Sequence, residues 1–346
     1  MKKAYFTFHF LLFTLAIALL FALNLFLGSV AIPPGQVLNA LLGAEVEKSS
    51  WAYIVLESRL PQAVTALLCG ASLAASGLML QTAFRNPLAG PSILGITNGA
   101  SLGVAIVMLL SGGVIGAGIF GADIHVAGLL AVITSAFLGA MAVMAILLLL
   151  SRVVRNSVML LIVGIMVGYL TGSLISLMNA FASADNVHSY VMWGMGSFSD
   201  VSLSQLPWFA VVSLVGLLLA ILLIKPLNAL LLGDDYARNL GFDITRIRTL
   251  LLVATGLLTA ISTAFCGPVS FLGLATPHIG RMMIGTDNHK LLLPITILTG
   301  AAIALLCNLL CILPSDTILP LNAVTPIIGA PVILYVILKA RSGNEQ

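Results

Sequence analysis

Charge is scarce in this sequence. Asp, Glu, Lys and Arg make up only 8% of its 346 residues, where soluble domains carry roughly a quarter. Hydrophobic residues make up 60% and the mean hydropathy is +1.14, so the chain cannot furnish a water-facing surface. It reads as an all-helical polytopic membrane protein. A spanning helix takes about 20 residues, so ten spans use roughly 200 and leave only short connectors. Residues 1–346 therefore form one transmembrane domain.

Other absences narrow the function. Basic residues stand singly between apolar runs, and without a basic block there is no basis for nucleic-acid binding. No Gly-Lys dipeptide occurs, which excludes a phosphate-binding loop of the G-x-x-x-x-G-K-[ST] type. If ATP drives this protein, another chain binds it. No acid falls near the middle of an apolar run. This argues against an ion-coupled secondary transporter of a small organic solute, the main rival reading, and against proteolysis by paired aspartates. The four cysteines, Cys69, Cys266, Cys307 and Cys311, lie in apolar stretches without His or acid neighbours. They read as small packing residues, with neither metal nor disulfide expected. No A-x-A cleavage site follows the first apolar run, so it reads as a retained span.

Ten apolar runs are present, at about 8–28, 57–82, 93–111, 125–150, 158–181, 206–225, 249–267, 269–284, 291–313 and 326–340. Helices are expected throughout, because an open sheet leaves backbone groups unpaired in hydrocarbon. With both termini in the cytoplasm, 13 of the 15 basic residues fall inside, leaving only Lys48 and Arg59 outside. That split supports an even number of spans.

The densest charged stretch, about 226–248, is cytoplasmic in this topology and reads as two short helices around a glycine break. Asp234 and Asp235 are expected to cap a helix over Tyr236–Leu240, and Gly241 to end it. A solvated loop is the plain interpretation; a docking element for a soluble partner is the sharper one. Gly90-Pro91 and Gly95 interrupt the helical pattern after Asn86-Pro87-Leu88, and broken backbone at membrane depth needs protein or a wet cavity beside it. Gly267-Pro268-Val269-Ser270-Phe271-Leu272-Gly273 resembles Gly90-Pro91-Ser92-Ile93-Leu94-Gly95. The first is expected outside and the second inside, as an inverted repeat would place them. Gly164, Gly168 and Gly172 form a small-residue face for close helix packing. Asn98, Asn179, Asn308 and Asn322 either line a pathway or bond across helices. Met159, Met166, Met178, Met192 and Met195 read as gap fillers rather than cargo contacts.

The motifs taken together resemble the FecCD-type permease subunits of bacterial ABC importers for iron–siderophore, haem and cobalamin. The resemblance runs over nearly the whole chain. It is carried by Arg59-Leu60-Pro61 with Gly70-Ala71-Ser72-Leu73 and Ser76-Gly77, by Gln81, by Asn86-Pro87-Leu88-Ala89, and by Leu94-Gly95 with Gly99-Ala100. Trp193 with Gly196-Ser197 and the run Gly233-Asp234-Asp235-Tyr236-Ala237-Arg238-Asn239-Leu240-Gly241 add to it. So do Phe271-Leu272-Gly273-Leu274, Pro277-His278-Ile279-Gly280-Arg281, Leu319-Pro320 and Gly329-Ala330-Pro331.

The resemblance implies the type II ABC importer permease architecture in the bacterial inner membrane, with ten spans and no enzymatic activity of its own. The implied partners are a second copy of the chain, two ATP-binding cassette subunits that hold ATP and magnesium, and an extracytoplasmic substrate-binding protein. No cofactor is implied on this chain. Gly233–Gly241 is implied as the coupling element, and Arg59 as a docking contact for acidic residues of the binding protein, with Lys48 beside it. Gln81, Asn86, Asn98 and Asn179 are the pathway candidates, and Asn156 and Ser157 mark the inner mouth. The implied mechanism is alternating access for a bulky metal chelate, with ferric siderophore favoured by family abundance over cobalamin and haem. Three departures from the family pattern stand out. Gln62 replaces a second arginine, Asn308 and Ile312 replace an aspartate and an outer arginine, and Ile318 replaces a glutamate.

Overall fold

Small residues decide which span lies at the centre. The segment Gly70-Ala71-Ser72-Leu73-Ala74-Ala75-Ser76-Gly77 offers almost no side-chain bulk, so neighbouring backbones approach it closely. In the computed structural model, which describes residues 2–110, 124–154, 157–313 and 318–343, this segment lies in the helix buried most completely. A Cβ at Gly70 would collide with the Gly300 carbonyl, and one at Gly77 with the Gly273 carbonyl.

The described residues form helices and connectors, with no strand among them. In chain order these are α1 (Lys2–Phe26), α2 (Pro34–Leu42), α3 (Ser49–Phe84), α4 (Ile96–Leu110), α5 (Ile124–Val153), α6 (Ser157–Phe181) and α7 (Ala184–Gly194). There follow α8 (Leu206–Leu222), α9 (Ile224–Leu231), α10 (Asp234–Asn239), α11 (Ile244–Cys266), α12 (Leu272–Ile284), α13 (His289–Ile312) and α14 (Leu321–Gly343). The central α3 packs against α11, α12 and α13, while α4 and α5 pair with each other and join the core through α11.

Each of the ten apolar runs falls on a helix. Among the described residues, α1, α3, α5, α6, α11 and α13 are long and apolar enough to cross a bilayer, and the pair α8–α9, bent by 49°, makes a seventh. The apolar parts of α4 and α14 are shorter. The 13 residues of α12 extend about 20 Å, less than the hydrocarbon thickness of about 30 Å.

The two Gly-Pro segments do not lie on opposite faces, as the sequence reading has them. They meet. Gly273 packs on α3 at Gly77, and a Cβ on Gly273 would stand 3.2 Å from Pro91 Cδ. Gly77 is eight residues from the end of α3 at Arg85, a rise of about 12 Å, so the meeting point is near mid-depth. The cause is steric: with glycine on both sides, the start of α12 sinks against α3 and does not stay at the outer surface. The segments Gly90–Ile93 and Val269–Leu274 with Leu73 enclose a cavity of about 170 Å³. Two helix breaks of similar sequence that meet fit an inverted repeat.

Candidate functional site

One end of the molecule is built around Asp234. Gly233 supplies the turn into α10 with φ +113°, a conformation costly for any residue with a Cβ. The expected side-chain cap is not made. Asp234 Oδ1 accepts from Arg85 Nη2 at 2.7 Å, and Oδ2 accepts from Arg248 Nη2 at 2.7 Å. Asp235 pairs with Arg238 at 3.3 Å. These two acids hold arginines and leave the turn to Gly233. At the other end of α10 the Gly241 N–H donates to the Arg238 carbonyl with Gly241 at φ +86°, the left-handed stop expected of it. Asp243 then caps α11 through the N–H groups of Thr245 and Arg246. Ala237 is fully buried, whereas Tyr236 and Leu240 are 50% and 55% exposed. So α10 is fixed to the body by its small residue and presents two large apolar side chains outward, with Asn239 also exposed.

Two further groups lie close to this cluster. Arg281 donates to Gln81 Oε1 at 2.6 Å and to Asp287 Oδ1 at 3.1 Å, and Gln81 Nε2 donates to the Leu274 carbonyl at 3.2 Å. Gln81 is therefore a buried tie between α3 and α12, its amide bonded on both sides. Asn86 forms a tight turn, its Oδ1 accepting from the Leu88 N–H at 2.9 Å. On α13, the His289 N–H donates to Asn228 Oδ1 at 2.8 Å, which brings α9 to the same face.

The other end of the molecule holds a surprise at Arg59. It lies where α3 passes through a wider π-helical turn, and it is 5% exposed. Its guanidinium donates to the carbonyls of Leu25 (2.9 Å), Phe26 (3.1 Å) and Val30. Gly28 leaves the room, since a Cβ there would stand 2.8 Å from Nη2. Arg59 thus satisfies the last carbonyls of α1, which have no partners within the helix. Three of its five N–H donors are thus used inside the protein, which gives Arg59 a structural role beside the expected docking one. Lys48 is exposed, with its ammonium 4.9 Å from the centre of the Trp51 ring.

Near Arg59, a polar chain crosses three helices. Gln62 Nε2 donates to Asn308 Oδ1 at 3.1 Å, Asn308 Nδ2 to Asn24 Oδ1 at 2.7 Å, and Asn24 Nδ2 to the Leu305 carbonyl at 3.1 Å. Gln62 and Asn308 border a cavity of about 560 Å³, with Met108, Met192, Trp193, Met195 and Asp200. Tyr190, which hydrogen-bonds Ser101, has its phenol pushed above the ordinary value by burial.

Asn322 joins two chain breaks. Its amide donates to the carbonyls of Gly194 (3.0 Å) and Pro268 (2.6 Å) and accepts from the Ser270 N–H (3.1 Å). Asn308 and Asn322 therefore bond across helices. Asn98 lies against Gly168 on α6, 2.8 Å from where a Cβ would stand, and Gly164 packs on Leu94. Gly172 faces open space. Asn179 has an oxygen with no hydrogen-bond partner. Met159, Met166 and Met192 are exposed and do not fill core gaps. Ser157 begins α6, and Asn156 lies outside the described residues. All four cysteines are free and buried.

Comparison with known proteins follows the same lines. The model of the FecCD transport family matches residues 15–339. The vitamin B12 import system permease protein BtuC of Klebsiella pneumoniae subsp. pneumoniae is 34% identical over 95% of this chain and 92% of its own length. BtuC of Salmonella typhimurium is 33% identical over 94% of each. A solved structure described as an inward-facing conformation of a transporter assigned to the metal-chelate ABC type superposes with a TM-score of 0.81 at 30% identity, covering 95% of this chain and 98% of that one.

Proposed function

The chain belongs to the FecCD transport family, and from that premise we propose that it is the membrane half of an ATP-driven importer of a bulky metal chelate. Membership makes it a transport subunit of the inner membrane and not an enzyme, with ATP hydrolysis on a separate subunit. In the proposed cycle, two copies form the pathway between them. A loaded binding protein docks outside, near exposed Lys48, and two ATP-binding cassette subunits grip α10 from the cytoplasm. Alternating access moves the cargo, with the inner mouth around the start of α6 at Asn156 and Ser157. Ten crossings with both termini inside fit this scheme. In support, Arg85, Asp234 and Arg248, all assigned to the cytoplasm from sequence, are in direct contact.

The observation that carries the proposal is the outward presentation of Tyr236 and Leu240 by a helix whose opposite side is fixed through Ala237. Apolar side chains on a charged cytoplasmic loop suit a soluble protein partner. The test is Tyr236→Asp with Leu240→Asp in the complex co-expressed with its ATPase subunit. The ATPase subunit is expected to be lost on purification while the permease elutes as a dimer. Unchanged co-purification would refute the docking assignment, and cargo uptake by this chain alone in liposomes would favour the ion-coupled reading.

Cobalamin is the first cargo to test, because the relatives named above are vitamin B12 permeases. Ferric siderophore, favoured by family abundance alone, comes second and haem third. Spans without Asp, Glu, Lys or Arg near their middles suit a large ligand held by shape and scattered polar contacts. Uptake of each chelate by the reconstituted complex, with the cognate binding protein, decides among them.

A further inference from the structure

The residues around Asp234 have a geometry that docking alone does not require. Asp234 is the first residue of α10, and it uses one carboxylate oxygen for each of two arginines on different helices: Arg85 at the end of α3 and Arg248 in the second turn of α11. A charge shared in this way is a mechanical link, because α10 cannot shift without pulling on both arginines or breaking a charge-assisted bond.

Arg85 is placed in an unusual way. It ends α3 at φ +46°, and it is one of two non-glycine residues with a positive φ among the described residues. Glycine adopts this conformation more cheaply, so an arginine here fits a requirement for its side chain. That side chain reaches Asp234. Its backbone begins the broken segment: the Asn86 turn comes next, His278 of α12 donates to the Pro87 carbonyl at 2.8 Å, and Pro91 meets Gly273. The second such residue, Phe271 at φ +66°, lies at the other side of that meeting point, at the start of α12, and packs against Gly329 of α14. The two strained positions thus flank one contact between two breaks, and Asp234 holds the nearer of them.

We infer that Asp234 and Arg85 are positioning residues that carry movement of the coupling helix into the mid-depth breaks. Displacement of α10 pulls Arg85, turns the segment that follows it, and shifts Pro91 against Gly273 at the head of α12. Arg248 carries the same displacement into α11. This rests on the proposed docking of the ATPase subunit at α10.

The test uses a Ser92→Cys reporter in the complete complex, since Ser92 is exposed at the first break and the four native cysteines are buried. Maleimide labelling of the reporter is measured without nucleotide and after trapping with ATP and vanadate. The rate is expected to change severalfold on trapping in the parent complex. Arg85→Gly, which suits the backbone conformation, is expected to keep the thermal midpoint and the bound ATPase subunit but to abolish that change. Arg85→Lys is expected to restore part of it. A labelling change that survives Arg85→Gly would overturn the inference, as would a parent complex whose reporter ignores trapping. If Arg85→Gly releases the ATPase subunit, the residue belongs to the docking surface and the inference also fails. A parent chain that never retains an ATPase subunit would instead refute the underlying functional reading.

Discussion

Gln62 Nε2 donates to Asn308 Oδ1 at 3.1 Å, so two of the positions that depart from the family pattern touch each other. The sequence comparison finds a missing arginine and a missing aspartate as separate losses. The structure shows one neutral hydrogen bond across α3 and α13 at the two positions where the resemblance implies an arginine and an aspartate. Neutral amides avoid the desolvation cost of a buried ion pair, which often cancels the attraction gained.

The pairing predicts how charges behave if introduced there. Asn308→Asp places a carboxylate at a site 3% exposed and removes the donor that meets Asn24 Oδ1 at 2.7 Å. It is expected to cost about 3 kcal/mol, the scale for an uncompensated buried charge. Gln62→Arg alone is expected to cost less, because residue 62 is half-buried and borders the cavity of about 560 Å³. The double variant is expected to regain more than half of the loss caused by Asn308→Asp. Thermal unfolding of the purified protein in detergent measures the cycle. Strictly additive losses would show that the two positions act independently.

Arg59 gives a prediction of opposite character. A docking arginine on the outer surface could be removed with little effect on the isolated protein. Here the guanidinium serves three carbonyls, those of Leu25, Phe26 and Val30. Arg59→Ala is therefore expected to destabilise the protein by about 2–3 kcal/mol, since the buried Leu25 acceptor left without a donor costs roughly 1–3 kcal/mol and the part-buried Phe26 and Val30 acceptors add less. Arg59→Lys is expected to recover only part of this, because an ammonium lacks the planar fork that spans three acceptors. The check is the thermal midpoint of the permease without any binding protein present. An unchanged midpoint with weakened binding-protein affinity would leave Arg59 the docking role alone.

How much of this was legible beforehand depends on sequence separation. The ten apolar runs and the helix before Gly241 were readable because hydropathy and glycine punctuation are local signals. Even the grouping of Arg85, Asp234 and Arg248 on one side followed from the distribution of basic residues. The partners of Arg59 were not readable. They lie about 30 residues away, at a helix end that becomes accessible to it only because of a π-helical turn and the bare Gly28. Asn24 gave no signal at all, since its link to Asn308 spans 284 positions. Sequence alone relates the two Gly-Pro breaks but sets them on opposite faces. Counting spans assumes that each helix crosses the membrane completely, and the Gly77–Gly273 contact draws the head of α12 inward. Asp234 was expected to cap a helix. Nothing in its immediate neighbourhood reveals that Arg85, 149 residues away, takes up its carboxylate.

Asn322 gives the last prediction, and it concerns two breaks at once. One amide satisfies the Gly194 and Pro268 carbonyls and the Ser270 N–H, while the adjacent backbone adds bonds from Leu321 and Asn322 to the carbonyls of Gly196 and Met195. The end of α7, the break before α12 and the start of α14 are thereby held together. Asn322→Leu is expected to cost about 1–3 kcal/mol, because three part-buried backbone groups lose their partner. The pattern matters more than the size. Hydrogen–deuterium exchange should rise together at 194–197 and 267–271 in this variant, since both segments lose the same clamp. Asn24→Leu, which breaks a different polar chain, should leave those segments protected. If only one of the two loosens in Asn322→Leu, the amide is not what joins them, and the Ser197 N–H bond to the Cys266 carbonyl with the close contact of Gly267 on the Trp193 carbonyl and Gly196 holds them without it.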